Sequence, residues 1–141
     1  TDAETEIVTI ERDQKRLNKA KANIKQFGFS NKINFKFGEA QEIVPYLRRK
    51  FDLIFIDAAK GQYLRFLEAG EQLLPTGGII AADDVLFKGM IADDRFYHPR
   101  FSTLTKVLRE YVDEIMTDDR LDSAVIPLGD GVAVSHKKGE Q

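Results

Sequence analysis

The sequence predicts a doubly wound α/β sheet, mostly parallel, with a reversed last strand. Three observations lead there: strand-like apolar runs alternate with helical stripes, two of those runs are apolar without interruption, and the last two are joined only by Gly129-Asp130-Gly131. Alternation of the two periodicities is the mark of strand-helix units stacked into a parallel sheet. Uninterrupted apolar runs read as central strands covered on both faces. A link of three residues is too short for a right-handed crossover and fits a hairpin, so the final strand must run antiparallel.

Ile7-Val8-Thr9-Ile10 is the first strand and ends in Glu11-Arg12-Asp13. Leu17, Ala20, Ile24 and Phe27 follow as a helical stripe, with Lys15, Lys19 and Lys25 on the opposite face. Gly28 stops that helix. Ile33, Phe35 and Phe37 then alternate with Asn34 and Lys36, as in a sheet-edge strand with one wet face. A short helix over roughly 40–49 leads to Phe51-Asp52-Leu53-Ile54-Phe55-Ile56-Asp57, the first of the two central strands. Leu64, Leu67 and Leu74 mark the next helix, and Pro75-Thr76-Gly77-Gly78 turns the chain into the second central strand, Gly78-Ile79-Ile80-Ala81-Ala82-Asp83. Residues 85–100 form a long polar loop of the kind that usually serves function. Leu104, Val107, Leu108, Tyr111, Val112, Ile115 and Met116 recur at helical spacing and predict the clearest helix of the chain. Ala124-Val125-Ile126-Pro127-Leu128 and Val132-Ala133-Val134-Ser135 are the two strands of the closing hairpin.

A chain of 141 residues with 43% hydrophobic content supports one core, so residues 1–141 are expected to form a single domain. Its charged fraction is 31%, and no apolar run approaches the ~18 residues of a membrane span. No signal segment opens it, and a soluble, cytoplasmic protein without a membrane partner is expected. The absence of cysteine excludes disulfides and thiolate metal sites, leaving oxygen ligands or His98 and His136 for any metal, which points to a hard cation. A net charge of -2 and a pI near 5.7 give no global attraction to nucleic acid and neither suggest nor exclude RNA as a substrate. The chain opens on Thr1 and enters an apolar run almost at once, which suggests a piece of a longer protein.

In an open α/β sheet, ligands bind beyond the carboxyl ends of the strands. Those ends are acidic here: Glu11, Asp57, and the pair Asp83-Asp84. An acid at the place of Glu11 can accept hydrogen bonds from both hydroxyls of a ribose, or simply favour the dipole of the following helix. Asp57, Asp83 and Asp84 lie at the ends of two strands that read as neighbours. Three gathered carboxylates repel, and Mg²⁺ resolves that repulsion. Helix capping by Asp57 and chain turning by Asp84 are the alternatives. Lys60, three residues after Asp57, is placed to take a proton from a bound hydroxyl as a neutral amine. Gly38-Glu39-Ala40-Gln41 could read an adenine rim, although helix capping explains Glu39 equally well. Lys88, His98 and Arg100 in the long loop are candidates for contact with an anionic substrate, whereas Arg48, Arg49 and Lys50 suit a helix C-terminus.

With these residues in place, the sequence resembles the small O-methyltransferases that include the catechol and caffeoyl-CoA enzymes and their bacterial relatives. The similarity rests on Val8-Thr9-Ile10-Glu11, on 51–60 with Tyr63-Leu64, on Ala82-Asp83-Asp84-Val85-Leu86, and on Ile126-Pro127-Leu128-Gly129-Asp130-Gly131. The resemblance implies a Rossmann-like sheet and S-adenosyl-L-methionine (SAM) as donor. It places Glu11 on the ribose, Glu39 and Ala40 against the adenine, Asp57, Asp83 and Asp84 on Mg²⁺, and Lys60 as general base. It further implies in-line methyl transfer, a homodimer, and as acceptor either a catechol-like phenol or the wobble 5-hydroxyuridine of tRNA, the latter suggested by Val85-Leu86-Phe87-Lys88-Gly89.

Two features depart from the family pattern. Asp84 stands where the family usually has Asn, which makes the site more negative and keeps Mn²⁺ and Ca²⁺ in view. The family's first strand and glycine-rich SAM loop are expected before Thr1, and Gly129-Asp130-Gly131 cannot replace them because it leads into a strand. The chain by itself is therefore expected to bind SAM poorly and turn over little. The rival readings are a phosphoacceptor signalling domain and a catalytically dead truncated fold.

Overall fold

The computed structural model describes residues 5–139, which belong to two compact units, Thr1–Leu47 and Arg48–Gln141. No helix among the described residues is long and apolar enough to cross a membrane.

In the first unit, strand β1 (Ile7–Glu11) pairs in parallel with β2 (Ile33–Phe37), Ile7 opposite Ile33 and Glu11 opposite Phe37. Helix α1 (Gln14–Gln26) connects them. It starts at Asp13, whose carboxylate accepts the amides of Lys15 and Arg16 at 2.8 and 3.0 Å, two donors the first turn would otherwise leave orphaned. Leu17 is the buried anchor of its apolar stripe, a contribution of about 1.5–3 kcal/mol for a full side chain. The stripe is shorter than the spacing suggests, because Phe27 lies past the last helical turn and is 69% exposed. The helix expected over 40–49 is also cut short. Helix α2 covers only Ala40–Ile43 and tightens into a 3₁₀ turn at Val44–Tyr46, where Pro45 has no amide to continue the α-helical ladder.

The second unit holds a four-stranded sheet in the order β3 (Leu53–Ile56), β4 (Ile79–Ala82), β6 (Val132–Lys137), β5 (Leu121–Ile126). β3 and β4 are parallel, and β6 is antiparallel to both β4 and β5, so the hairpin reverses one strand as its short link requires. Helices α3 (Tyr63–Leu73) and α4 (Ser102–Thr117) supply Tyr63, Leu67, Leu108, Tyr111 and Ile115 to a core with Ile56, Ile80 and Ala133. Gly70 allows the approach of α3, since a Cβ there would lie 3.3 Å from Cδ1 of Ile80. Lys50 and Lys137 cap the last carbonyls of α3: Lys137 donates to Glu71 and Leu74 at 2.8 and 3.1 Å, and Lys50 to Gln72 at 2.6 Å.

The expectation that β3 is covered on both faces fails. Ile54 and Ile56 turn to the core, whereas Leu53 and Phe55 are 60% and 61% exposed. Among the described residues, β3 pairs on one side only, so an apolar run typical of a central strand occupies a sheet edge. The loop at 85–100 is more ordered than its composition suggests and contains single 3₁₀ turns at Asp94–Phe96 and Pro99–Phe101.

Candidate functional site

Because β3 and β4 are parallel with Ile56 opposite Ala82, the residues that follow them, Asp57 and Asp83, leave the sheet at the same end. The amide of Asp83 donates to the carbonyl of Ile56 at 3.0 Å and ties the two strand ends together. Beneath them lies Tyr63, fully buried, its ring edge-on to Tyr111 with centroids 5.5 Å apart. The Tyr63 hydroxyl donates to the Asp83 carbonyl at 2.8 Å. Burial pushes this phenol well above its ordinary pKa, and the charges of Asp57, Asp84, Tyr111 and Asp83 push it the same way. A single hydroxyl thus feels all three carboxylates singled out in the sequence.

Lys60 reaches this cluster from the turn before α3. Its ammonium lies 3.0 Å from Oδ2 of Asp84, with the lysine side chain only 18% exposed. Asp84 has a left-handed backbone, φ 54°, and its amide donates to Oδ1 of Asp83 at 2.8 Å. Chain turning by Asp84 is therefore real and coexists with its ion pair. Capping by Asp57 is not realised: the turn at Lys60–Gln62 has Ala59 as its N-cap, without a side-chain cap bond. Gln62, unremarked in the sequence, buries its Oε1 without a hydrogen-bond partner.

Among the described residues, no three His, Cys, Asp or Glu side chains form a group that could hold a metal ion. Two of the three carboxylates have other partners here. Asp84 is neutralised by Lys60, and one oxygen of Asp83 accepts a backbone amide.

In the first unit, Glu11 ends β1 and accepts the amide of Asp13 at 2.7 Å. Glu39 is the N-cap residue of α2, makes no side-chain cap bond and pairs with Arg12 at 3.3 Å, and Ala40 opens the helix. Its carboxylate therefore acts at that helix end by its charge and not by a capping hydrogen bond. The loop cations have local roles: the Lys88 ammonium and Arg100 guanidinium face the ring of Phe101, and Nδ1 of His98 accepts the Arg100 amide at 3.2 Å. An open groove of about 290 Å³ along α4, lined by residues including Tyr97, Lys106 and Arg109, contains none of the clustered acids.

The family model described as O-methyltransferase matches residues 2–138. The chain is 32% identical over 133 residues to a caffeoyl-CoA O-methyltransferase of Stellaria longipes, covering 89% of this chain and 55% of the relative. It is 31% identical over 129 residues to caffeoyl-CoA O-methyltransferase 1 of Zea mays, covering 81% and 47%. The chain thus spans about half the length of these curated relatives. Its fold superposes on the SAH-bound methyltransferase PaMTH1 of Podospora anserina with a TM-score of 0.84 at 26% identity, over 98% of this chain and 63% of that one. A Corynebacterium glutamicum protein shares the fold at TM-score 0.86 and 24% identity, over 97% and 62%. The sheet with one reversed strand, the acids at its carboxyl end and a match through nearly every residue lead to one conclusion: the chain belongs to the O-methyltransferase family.

Proposed function

We propose that this chain carries the acceptor side of a SAM-dependent, divalent-metal-dependent methyl transfer to a hydroxyl group, with a phenol of the caffeoyl-CoA or catechol class as acceptor. The observation that carries it is the placement of Asp57 and Asp83 at the same end of two neighbouring parallel strands, with Lys60 3.0 Å from Asp84 and the Tyr63 hydroxyl on the Asp83 carbonyl. An all-oxygen donor set suits Mg²⁺, Mn²⁺ or Ca²⁺. Asp57, Asp83 and Asp84 do not form a metal-holding group in the present arrangement and would hold the ion only once Asp84 is released from Lys60 and the three side chains move together. A bound ion would offset their repulsion and make a neighbouring hydroxyl more acidic.

SAM, when bound, would supply the methyl group, the acceptor oxygen taking its carbon while the sulfur keeps the electron pair of the broken carbon–sulfur bond. The hydroxyl proton passes to Lys60 as its free amine, which requires release of the ion pair with Asp84. Glu11 is assigned to the ribose hydroxyls, and Glu39 with Ala40 to the adenine. We read the chain as one methyltransferase domain, a reading supported by a family match that runs through both units. A homodimer is the expected assembly, to be measured by light scattering. The family match leaves the phosphoacceptor alternative without support.

Mass spectrometry of methyl transfer from SAM to caffeoyl-CoA, to catechol and to undermodified tRNA, with Mg²⁺ or with EDTA, tests the proposal. Phenol methylation abolished by EDTA is expected. Transfer that persists in EDTA removes the metal, and transfer to tRNA alone replaces the acceptor with the wobble hydroxyuridine.

A further inference from the structure

The corner after β4 is backbone-strained. Asp84, Phe87 and Lys88 have φ of 54°, 46° and 58°, a region that side-chain-bearing L residues rarely occupy. Such conformations persist only where the surroundings over-determine them. What surrounds this segment is the turn of the β5–β6 hairpin. The amide of Val85 donates to the carbonyl of Gly131 at 3.0 Å and the amide of Leu86 to the carbonyl of Asp130 at 2.9 Å. The amide of Lys88 donates to the Asp130 carboxylate.

An aspartate that merely shapes a turn bonds its own neighbours two residues on. The turn here is closed by backbone alone, the Gly131 amide donating to the Leu128 carbonyl at 3.0 Å. The Asp130 side chain instead reaches an amide 42 positions away. Gly131 serves the same contact: a Cβ on it would lie 2.8 Å from Cδ1 of Leu86. Upstream, Asp83 is fixed by its bonds to Ile56 and Tyr63. Asp84 is therefore held between two anchored points, and this directs its carboxylate to Lys60.

We propose that Asp130 is a positioning residue: by latching the Val85–Lys88 backbone to the hairpin turn, it holds Asp84 in its left-handed conformation and sets the direction of the Asp84 carboxylate. The consequence for metal binding rests on the function proposed above, whereas the backbone latch does not.

The test compares Asp130→Ala, Asp130→Asn and Gly131→Ala with the unsubstituted chain, by NMR amide exchange and by titration with Mn²⁺. In Asp130→Ala, the Lys88 amide exchanges about tenfold faster as it loses its acceptor, and the Asp84 amide resonance shifts. Asp130→Asn, which keeps an acceptor oxygen, restores both. Gly131→Ala, which displaces Leu86 with Asp130 intact, shifts the Asp84 resonance as well. Exchange at Ala133 and Val134 in β6 stays unchanged, which separates the latch from general loosening. Mn²⁺ binding weakens about tenfold in Asp130→Ala, as for loss of a residue that orients a ligand.

An Asp84 resonance unmoved in Asp130→Ala overturns the proposal, whatever Gly131→Ala does, as does faster exchange spread evenly through β6. If the unsubstituted chain binds no Mn²⁺, the metal reading fails while the amide measurements still decide the latch.

Discussion

Replacing Tyr63 by Phe isolates one hydrogen bond at the centre of the site. The ring keeps its edge-on packing against Tyr111, and only the hydroxyl that donates to the Asp83 carbonyl at 2.8 Å is lost. A neutral hydrogen bond contributes about 1 kcal/mol net, and leaving a buried acceptor unpaired costs about 1–3 kcal/mol. Because Asp83 is only partly buried, water can compensate in part, and about 1–2 kcal/mol is the expected destabilisation. At about 4 °C per kcal/mol for a chain of this length, Tm falls by about 4–8 °C. Tyr111→Phe is the matched control, because the Tyr111 hydroxyl makes no hydrogen bond among the described residues. It should shift Tm by less than about 2 °C. Near-ultraviolet circular dichroism follows the packing of both rings through the transition. Equal Tm values for the two variants would refute the reasoning that Tyr63 ties the strand ends through its hydroxyl.

Further outcomes follow from other contacts. Gly131→Ala places a methyl against Leu86 at a residue with φ 86°, and is expected to cost about 2–4 kcal/mol by urea denaturation. Leu86→Ala in the same chain should recover part of that cost, and strict additivity of the two would show that they do not touch. Lys137→Met removes donors to the carbonyls of Glu71 and Leu74 and should destabilise the chain by about 1.5–3 kcal/mol; an unchanged urea midpoint speaks against capping of α3. Hydrogen bonds from Arg120 hold the Asp118 carboxyl below its ordinary value of 3.8. A folded-state pKa below the unfolded one gives stability that is present above 3.8 and lost as pH falls through the lower folded value. The urea midpoint should therefore drop in that acidic window, and less so in Asp118→Asn; parallel profiles would contradict the assignment.

The order of elements, the reversed last strand and the acids at the strand ends were legible in the sequence, because each depends on local spacing. Period-two and helical stripes mark strands and helices within a few residues, and the link forces a hairpin because its five residues, 127–131, two more than the sequence pattern suggests, are still too few for a crossover. Even locally the pattern overreached at Pro45, where apolar residues continue but the helical ladder cannot. Tertiary structure decided the rest. The exposed face of Leu53 and Phe55 depends on what packs against β3, and the apolar run itself does not say. Lys60 meets Asp84 across 24 positions, Tyr63 meets Asp83 across 20, and Asp130 meets Lys88 across 42. Contacts at such separations are set by how the sheet brings distant strand ends together, and no local periodicity encodes them. The sequence therefore names the acids and the lysine, while the fold determines which of them touch and what holds them in place.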